Sequence, residues 1–432
     1  MPEHTPLKAA KADLVAALRR DLIQTAPSDP RFSMLPGMEP VTDGLKAWSD
    51  YLDLLRPAGE MAAKTWFPDD TQTRAELYRQ LVMNVAQGYI WYFQSTPDHP
   101  DWMPFENSIF LLQPNPDGIY HLAPVSGSGV YRVVGTRGTN PIMGFAIGRG
   151  MFGTLGPGPS YNNYDVDGLT LADDGSFEVI FSTERPAGWT GDWRFMPEGA
   201  GSLLVRQFSV DWGKEAEGRF AIERLDRPAM KPRLTADEIA SRLDRMLGYF
   251  VAHFTGMTLG YQAKIADTIG FNTMELTGFE DIGNSPEWPQ KYWRCIYDLE
   301  PGDALVIETD IPLCKYWNVQ LNDTLWNQIE FGYRQSSLNA AQARLDTDGK
   351  FRAVLSLEDP GIQNWLDPQD CRRGMLVGRW HRAEDYPLPT MKKVPLADVR
   401  SHLPADTPTF SAEDREVQLR ARNIGVQLRR RW

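Results

Sequence analysis

"DGKFRAVLSLEDP", residues 348–360, repeats "DGSFEVIFSTERP", residues 174–186, at a constant offset of 174 residues with six of the thirteen positions identical. The shared Asp-Gly opens a turn, because glycine takes a positive φ at no steric cost. The apolar and β-branched residues that follow read as a strand. The closing Pro186 and Pro360 end that strand, since proline donates nothing to a ladder. One chain therefore carries the same turn and strand twice.

The repetition extends outward. At the same offset "PIMGFAIGRG" (141–150) lies over "KYWNVQLNDT" (315–324). After a two-residue difference in a loop, "SLLVRQFSVDW" (202–212) lies over "GMLVGRWHRAE" (374–384), and Trp193 lies over Trp365. Around these segments, short β-rich runs such as "SIFLLQ" (108–113), "GVYRVVG" (129–135), "YWRCIYDL" (292–299) and "ALVIETD" (304–310) are punctuated by Gly, Pro, Asn and Asp. That texture belongs to sandwiches and barrels. Helical periodicity marks "LKAAKADLVAALRRDLIQ" (7–24), "TRAELYRQLVMNVAQGYIWYFQ" (73–94) and residues 234–265. Thr73 with Glu76, Thr235 with Glu238 and Ser411 with Asp414 stand at capping-box spacing.

The predicted fold is mainly β with helical additions, built from two jelly-roll-like antiparallel β modules that arose by internal duplication. The expected organisation is a helical region over residues 1–100, a first β module over 101–230, a helical connector over 231–285, a second β module over 286–400 and a C-terminal helix over 401–432.

The second copy resembles a bacterial family catalogued as domain of unknown function 1214. The matching pieces are "YWNVQLND", "QSSLNAAQA", "DGKFRAVLSLEDPG", "NWLD" and "GRW", within residues 293–399. The first copy and the helices resemble long members of that family. The resemblance implies two jelly-roll-like modules side by side and brings no reaction with it.

Composition narrows the function. The 432 residues carry a net charge of −12, which argues against nucleic acid. The one basic cluster, "QLRRRW" at residues 427–432, reads as the positive last turn of a helix. Three cysteines without a CxxC spacing fit a reducing compartment. The first residues lack the apolar core of a secretory signal, and no apolar run is long enough to span a bilayer. A cytoplasmic protein without membrane association is expected.

Several motifs have a plainer reading than their catalytic one. Gly148, Gly150 and Gly153 give GxGxxG spacing, but "TLGPGPSYNN" after them does not make the helix a dinucleotide site needs. Asn163, Asp165, Asp167, Gly168 and Asp174 sit near EF-hand positions, yet their flanks read as strands, so a turn is expected. The six histidines include no pair at i, i+4, and neither a metal nor another cofactor is expected. Cys371 lies beside Arg372 and Arg373, which would lower a thiol pKa, but it lacks an adjacent base and reads as a loop cysteine.

The candidate site is polar and aromatic. Asn318, Gln320 and Asn322 alternate along one strand and so share a face. Amides on one β face need partners, which points either to a ligand or to a solvated sheet face. The expected ligand-binding residues are Gln320, Asn322, Trp326, Gln335, Ser337, Asn339, Asn364 and Trp365. Among the carboxylates Asp323, Glu330, Glu358 and Asp359, Glu358 repeats Glu184 and reads as structural. Asp359 replaces Arg185 and is the expected catalytic base.

The functional expectation is a cofactor-independent enzyme acting on an aromatic, steroid-like or carbohydrate-like molecule by acid/base chemistry such as hydrolysis, elimination or isomerisation. The alternative is a non-catalytic small-molecule-binding or assembly protein of double jelly-roll type. The partners considered are a small-molecule ligand and a second copy of the chain, as homodimers are common.

Overall fold

The turn that opens the repeat is present in both copies, with Gly175 at φ +75° and Gly349 at φ +81°. The computed structural model of the chain describes residues 44–62, 71–105, 113–150, 160–279, 285 and 287–429. The helix expected over 7–24, most of "SIFLLQ", Gly153 and the last three residues lie outside the described residues.

Helices α1 (Trp48–Asp53), α2 (Arg56–Ala62) and α3 (Thr71–Tyr89) come first, and a π-helical turn, Ile90–Gln94, extends α3. Helix α3 already contains Thr73, so the capping box expected there does not form. The first β module holds β1 (Met103–Pro104), β2 (Gly118–Pro124), β3 (Tyr131–Thr136), β4 (Ile142–Gly148), β5 (Asn162–Asp165), β6 (Ser176–Ser182), β7 (Asp192–Phe195), β8 (Ser202–Phe208) and β9 (Arg219–Arg224). Helix α4 (Ala236–Arg245) opens on the expected Thr235–Glu238 capping box and continues through a π turn, Met246–Phe250, into α5 (Val251–Ile269). The second module holds β10 (Glu275–Gly278), β11 (Gln290–Asp298), β12 (Asp303–Thr309), β13 (Cys314–Asn322), β14 (Ser337–Asn339), β15 (Phe351–Ser356), β16 (Trp365–Leu366), β17 (Arg373–Ala383) and β18 (Thr390–Pro395). Helix α6 (Ala412–Leu428) starts on the Ser411–Asp414 capping box.

Each module is a five-stranded sheet on a four-stranded one. The orders are β1-β2-β8-β4-β5 over β7-β6-β3-β9, and β10-β11-β17-β13-β14 over β16-β15-β12-β18. The second set is the first advanced by nine strands, so the duplication covers every strand. Registers repeat as well: Ile180 pairs Trp193 as Val354 pairs Trp365, and Leu305 pairs Leu355 as Tyr131 pairs Phe181. Not every ladder is antiparallel, because β6–β7 and β15–β16 run parallel.

One detail of the repeat is corrected. The sequence match sets β17 over β8 at an offset of 172, but the sheets set it at 173. Leu203 and Val205 point into the first sandwich as Leu376 points into the second, and Arg206 stands over Arg379. A one-residue slip exchanges the two faces of a strand. The apolar run "LLV" hid it, since either register keeps leucine or valine inside.

The two sandwich cores are separate, and a third core lies between them. It joins the outer faces of both five-stranded sheets (Tyr120, Leu122, Ile142, Phe208, Tyr292, Ile296, Met375, Val377) to the helices through Trp91, Phe250 and Phe254.

Helix α6 ties the modules together with arginines spaced seven apart. Arg415, Arg422 and Arg429 are buried on one face. Arg415 donates to Ile362 O and Gln363 O. Arg422 donates to Phe331 O, Ser337 Oγ and Gln342 Oε1. Arg429, just past the helix end, reaches the first module at Pro116 O, Asp117 O and Glu217. The basic end of the chain is thus in part a buried bolt rather than a solvated last turn. Gly425 makes the fit possible, as a Cβ there would stand 2.9 Å from Trp212 O.

Arg422→Met should cost about 3 kcal/mol of stability, because three acceptors and the buried Asp117 nearby lose their cation. Urea unfolding followed by circular dichroism measures this, and a loss no larger than that of an exposed control such as Arg420→Met would contradict it.

Candidate functional site

The amide row of β13 is buried, and Asn318 and Gln320 bond across to the first module as well as to Arg379 of their own sheet. Asn318 Nδ2 donates to Asn115 Oδ1 at 2.8 Å, and Gln320 Nε2 donates to Pro114 O at 3.0 Å and to Asn322 Oδ1 at 3.2 Å. Arg379 donates to Gln320 Oε1 at 2.6 Å and to Asn318 Oδ1 at 3.3 Å. Tyr316, on the same face, donates to Asp117 Oδ2 at 2.6 Å. Asp117 Oδ1 also accepts from Trp212 Nε1 at 2.8 Å and from Asn339 Nδ2 at 2.6 Å. Burial raises the Asp117 pKa, while Tyr316, Asn339, Arg429 and Trp212 act to lower it.

The other expected binding residues are also engaged. Gln335 Nε2 holds Gln363 O and Trp365 O. Ser337 Oγ accepts from Arg422. Asn364 bridges Arg344 and Arg352 main chain, and Trp365 Nε1 donates to Ser356 O. Trp326 stacks on Tyr261 at 3.9 Å and donates to Gln113 Oε1 at 2.8 Å, with its own φ at +63°.

Asp359 sits at the foot of α6. Its Oδ2 accepts from Arg415 Nε at 3.0 Å and its Oδ1 from Gly361 N at 2.9 Å. The comparison between copies explains the exchange of Arg185 for Asp359. In the first copy Arg185 itself lies over Trp193, 5.8 Å from the ring centre. In the second, Asp359 holds Arg415, which lies over Trp365 at 5.4 Å. Glu184 and Glu358 offer their main-chain carbonyls to Ser182 Oγ and Ser356 Oγ in the same way.

A cavity of about 1100 Å³ lies elsewhere, at one end of the five-stranded sheet of the second module. Helix α3 roofs it with Gln72, Glu76, Arg79 and Met83. The β13–β14 loop lines it from Asp323 to Arg334, and the β16–β17 loop from Gln369 to Arg373. None of the eight expected binding residues lines it, nor does Asp359. Asp323, Glu330 and Cys371 do. The arginines around it are paired: Arg79 with Glu76, Arg334 with Asp367, Arg373 with Asp298 and Arg372 with Glu300.

Asp323 closes the inner wall. Its Oδ1 accepts from Leu325 N at 2.9 Å and Asn327 N at 2.8 Å, which makes it the pivot of the loop. Its Oδ2 has one long contact, 3.3 Å from Asn327 Nδ2. Burial pushes its pKa up to about 6, against the pull of the Asn327 and Leu325 donors and of Arg79. Close by, Asn327 Oδ1, Asn322 Nδ2 and Gln262 Oε1 have no partner among the described residues. Gln262 Nε2 supports the loop from α5 by donating to Asp323 O at 2.6 Å. Sequence alone could nominate Asp323 only as one carboxylate of four, because its distinguishing property is partial burial beneath a helix far off in sequence.

Cys371 lies in the β16–β17 loop, and its arginine neighbours leave the thiol unactivated. Burial pushes its thiol up to about 12, and Asp323, Glu76 and Asp370 add to the rise, so Arg372 and Arg373 do not activate it. The near-EF-hand stretch is a strand and a short turn. There Asp165 caps Asp167 N, and Asp167 pairs with Arg137 and Lys315. No group of His, Cys, Asp and Glu among the described residues is placed to hold a metal. No described helix is long and apolar enough to cross a membrane.

No protein family and no curated protein matches the chain. The crystal structure of an uncharacterised protein from Burkholderia cenocepacia is similar: 28% identity, 81% of this chain and 97% of that one covered, TM-score 0.72. A Vibrio parahaemolyticus protein of known structure matches at 13% identity over 80% of this chain and all of that one, with a TM-score of 0.42, too low to carry an argument.

The raised Asp323 pKa fixes a pH dependence. A carboxyl with a folded pKa near 6 and an unfolded one near 3.8 binds its proton more tightly when folded. Its contribution is fully present below pH 4 and is lost as pH rises through 6, by on the order of 3 kcal/mol. Asp323→Asn should therefore flatten stability between pH 4 and 6 relative to wild type. Parallel urea midpoints across that range would contradict the assignment.

Proposed function

We propose that the chain is an enzyme acting on a small organic molecule by acid/base chemistry, with its site in the α3-roofed cavity and Asp323 as the acid/base. The observation that carries this is a half-buried carboxyl with a pKa near 6 lining an 1100 Å³ cavity. A general acid/base works best when its pKa lies near the operating pH, and this one combines that pKa with a loosely held oxygen. The cavity volume suits an aromatic, steroid-like or carbohydrate-like molecule. Its mixed lining offers paired guanidinium groups, amides and the apolar Met83, Leu325 and Ile329. The reaction class stays at hydrolysis, elimination or isomerisation, all of which need one proton moved at a positioned carboxyl. Membership of the domain of unknown function 1214 family is likewise our reading, resting on the motifs of the second copy. So is a cytoplasmic location.

Asp359 takes another part in this reading. It anchors Arg415, whose side chain is 7% exposed, so it acts on stability rather than turnover.

The test begins with thermal unfolding against phenolic, steroid and sugar panels, since a ligand of the folded state raises the midpoint by mass action. Turnover is then assayed within the class that binds. Asp323→Asn should keep the midpoint shift and lose turnover by at least ~100-fold. Asp359→Asn should lower the midpoint and keep turnover. Binding without turnover in wild type would favour the non-catalytic alternative, and full activity in Asp323→Asn would remove the role given to it.

A further inference from the structure

The cavity under α3 holds a surplus of carboxylates. Each arginine of its wall already faces an acid of its own, as described above. Asp323, Glu330 and Asp370 line the cavity as well, and none of the three has an ion-pair partner among the described residues. Glu330 gives its Oε1 to the Gly332 and Tyr333 N–H groups, at 2.9 and 3.3 Å, which leaves Oε2. Asn327 is a second and independent sign of a ligand. It is 2% exposed, it lines the cavity, and its Oδ1 has no partner among the described residues. The amide cannot turn over to offer a donor instead, because its Nδ2 faces Asp323 Oδ2, and a flip would set oxygen against the carboxylate. Asn322 Nδ2 and Tyr297 Oη, also unmet, belong to residues outside the lining.

Unmet acceptors together with uncompensated negative charge select a cation that carries N–H donors. An ammonium group has three donors and no acceptor. A hydroxyl brings an acceptor along with its donor, and a carboxylate or phosphate brings acceptors alone. A quaternary ammonium has no N–H and is held by ring faces, yet no aromatic residue among the described ones lines the cavity. A bare metal ion is not matched either, since no group of His, Cys, Asp and Glu among the described residues is placed to hold one. A cavity of about 1100 Å³ has room for an organic body around the cation. We propose that the molecule this cavity takes bears a protonated primary amine, recognised by Asn327 Oδ1 and by the carboxylates of Asp323, Glu330 and Asp370. This rests on the α3-roofed cavity being the substrate site. Amino sugars, aralkylamines and polyamines share that chemistry.

Isothermal titration calorimetry on the full chain tests this with matched probes. These are tyramine against para-ethylphenol, para-hydroxyphenylacetate and N-trimethylated tyramine, glucosamine against glucose, and spermidine. At least one amine should bind, its neutral, anionic and trimethylated counterparts should bind at least ~10-fold more weakly, and added salt should weaken the amine. Glu330→Gln with Asp370→Asn should weaken it at least ~10-fold, since both changes keep shape and Gln keeps an acceptor for Gly332 N. The control pair Glu413→Gln with Glu416→Gln, exposed on α6 and equal in charge change, should leave it unaltered. Where the double variant unfolds, Asp370→Asn alone, at an exposed loop position, should still weaken the amine. Asp323→Asn keeps Asn327, Glu330 and Asp370, so binding survives it. No binding by any amine, equal binding of tyramine and para-ethylphenol, or a loss no larger than that of the control pair overturns the proposal. An amine bound without turnover keeps this inference and removes the acid/base reading, whereas turnover of neutral molecules alone, lost in Asp323→Asn, does the reverse.

Discussion

A buried carboxylate governs how the two halves meet. Asp117 belongs to the first module, yet its oxygens accept from Tyr316 and Asn339 of the second and from Trp212 beside α6. A buried charge is tolerated only when its lone pairs are met and a cation stands near. Here the cations are Arg422 and Arg429, held on one helix face and lying over Trp212 at 4.5 and 5.7 Å. Burial lowers the Arg422 pKa to about 10, with Asp117 opposing the fall. The modules, the amide row and the last helix are thus parts of one hydrogen-bonded junction. Removing any one leaves the others with buried groups unmet.

The junction also explains how the copies diverged. The outer face of β4 carries Ile142, Gly144, Ala146 and Gly148, whereas the matching face of β13 carries Tyr316, Asn318, Gln320 and Asn322. The small residues leave room: a Cβ on Gly144 would stand 2.6 Å from the Trp288 ring. Two of the amides instead reach across, Asn318 to the Asn115 side chain and Gln320 to the Pro114 carbonyl. Two equal scaffolds cannot pack through identical polar faces unless each donor finds an acceptor. One face therefore became small and the other polar. The change from Arg185 to Asp359 follows the same logic, because the second copy recruits its tryptophan-covering arginine from α6.

Much of the fold was legible in the sequence. The turn glycines, the strand texture, the duplication and two of three capping boxes depend on neighbours in sequence, and local pattern records them. The face of β17 was not legible, because an apolar run fits either register. The amide row was recognised as a row of groups needing partners. Those partners are the Pro114 carbonyl and the Asn115 side chain, some 200 residues away, and the Arg379 guanidinium, which composition cannot signal. The same blindness applies to Asp323, whose chemistry comes from the helix that covers it.

Position within the repeat gives one more reason to look at Asp323. At the 174-residue offset it corresponds to Arg149, whose guanidinium lies 5.0 Å from the Tyr161 ring. Glu358 recurs as Glu184 and does the same work in both copies. Asp359 and Asp323 each occur once, so each answers a demand that only one copy faces. For Asp359 the demand is visible, namely a buried arginine to be neutralised. For Asp323 no cation among the described residues closes on the carboxyl within bonding distance, and its second oxygen has one long contact. A copy-specific carboxylate whose structural task uses one oxygen, at the inner end of a cavity, has a lone pair left for a molecule that enters it.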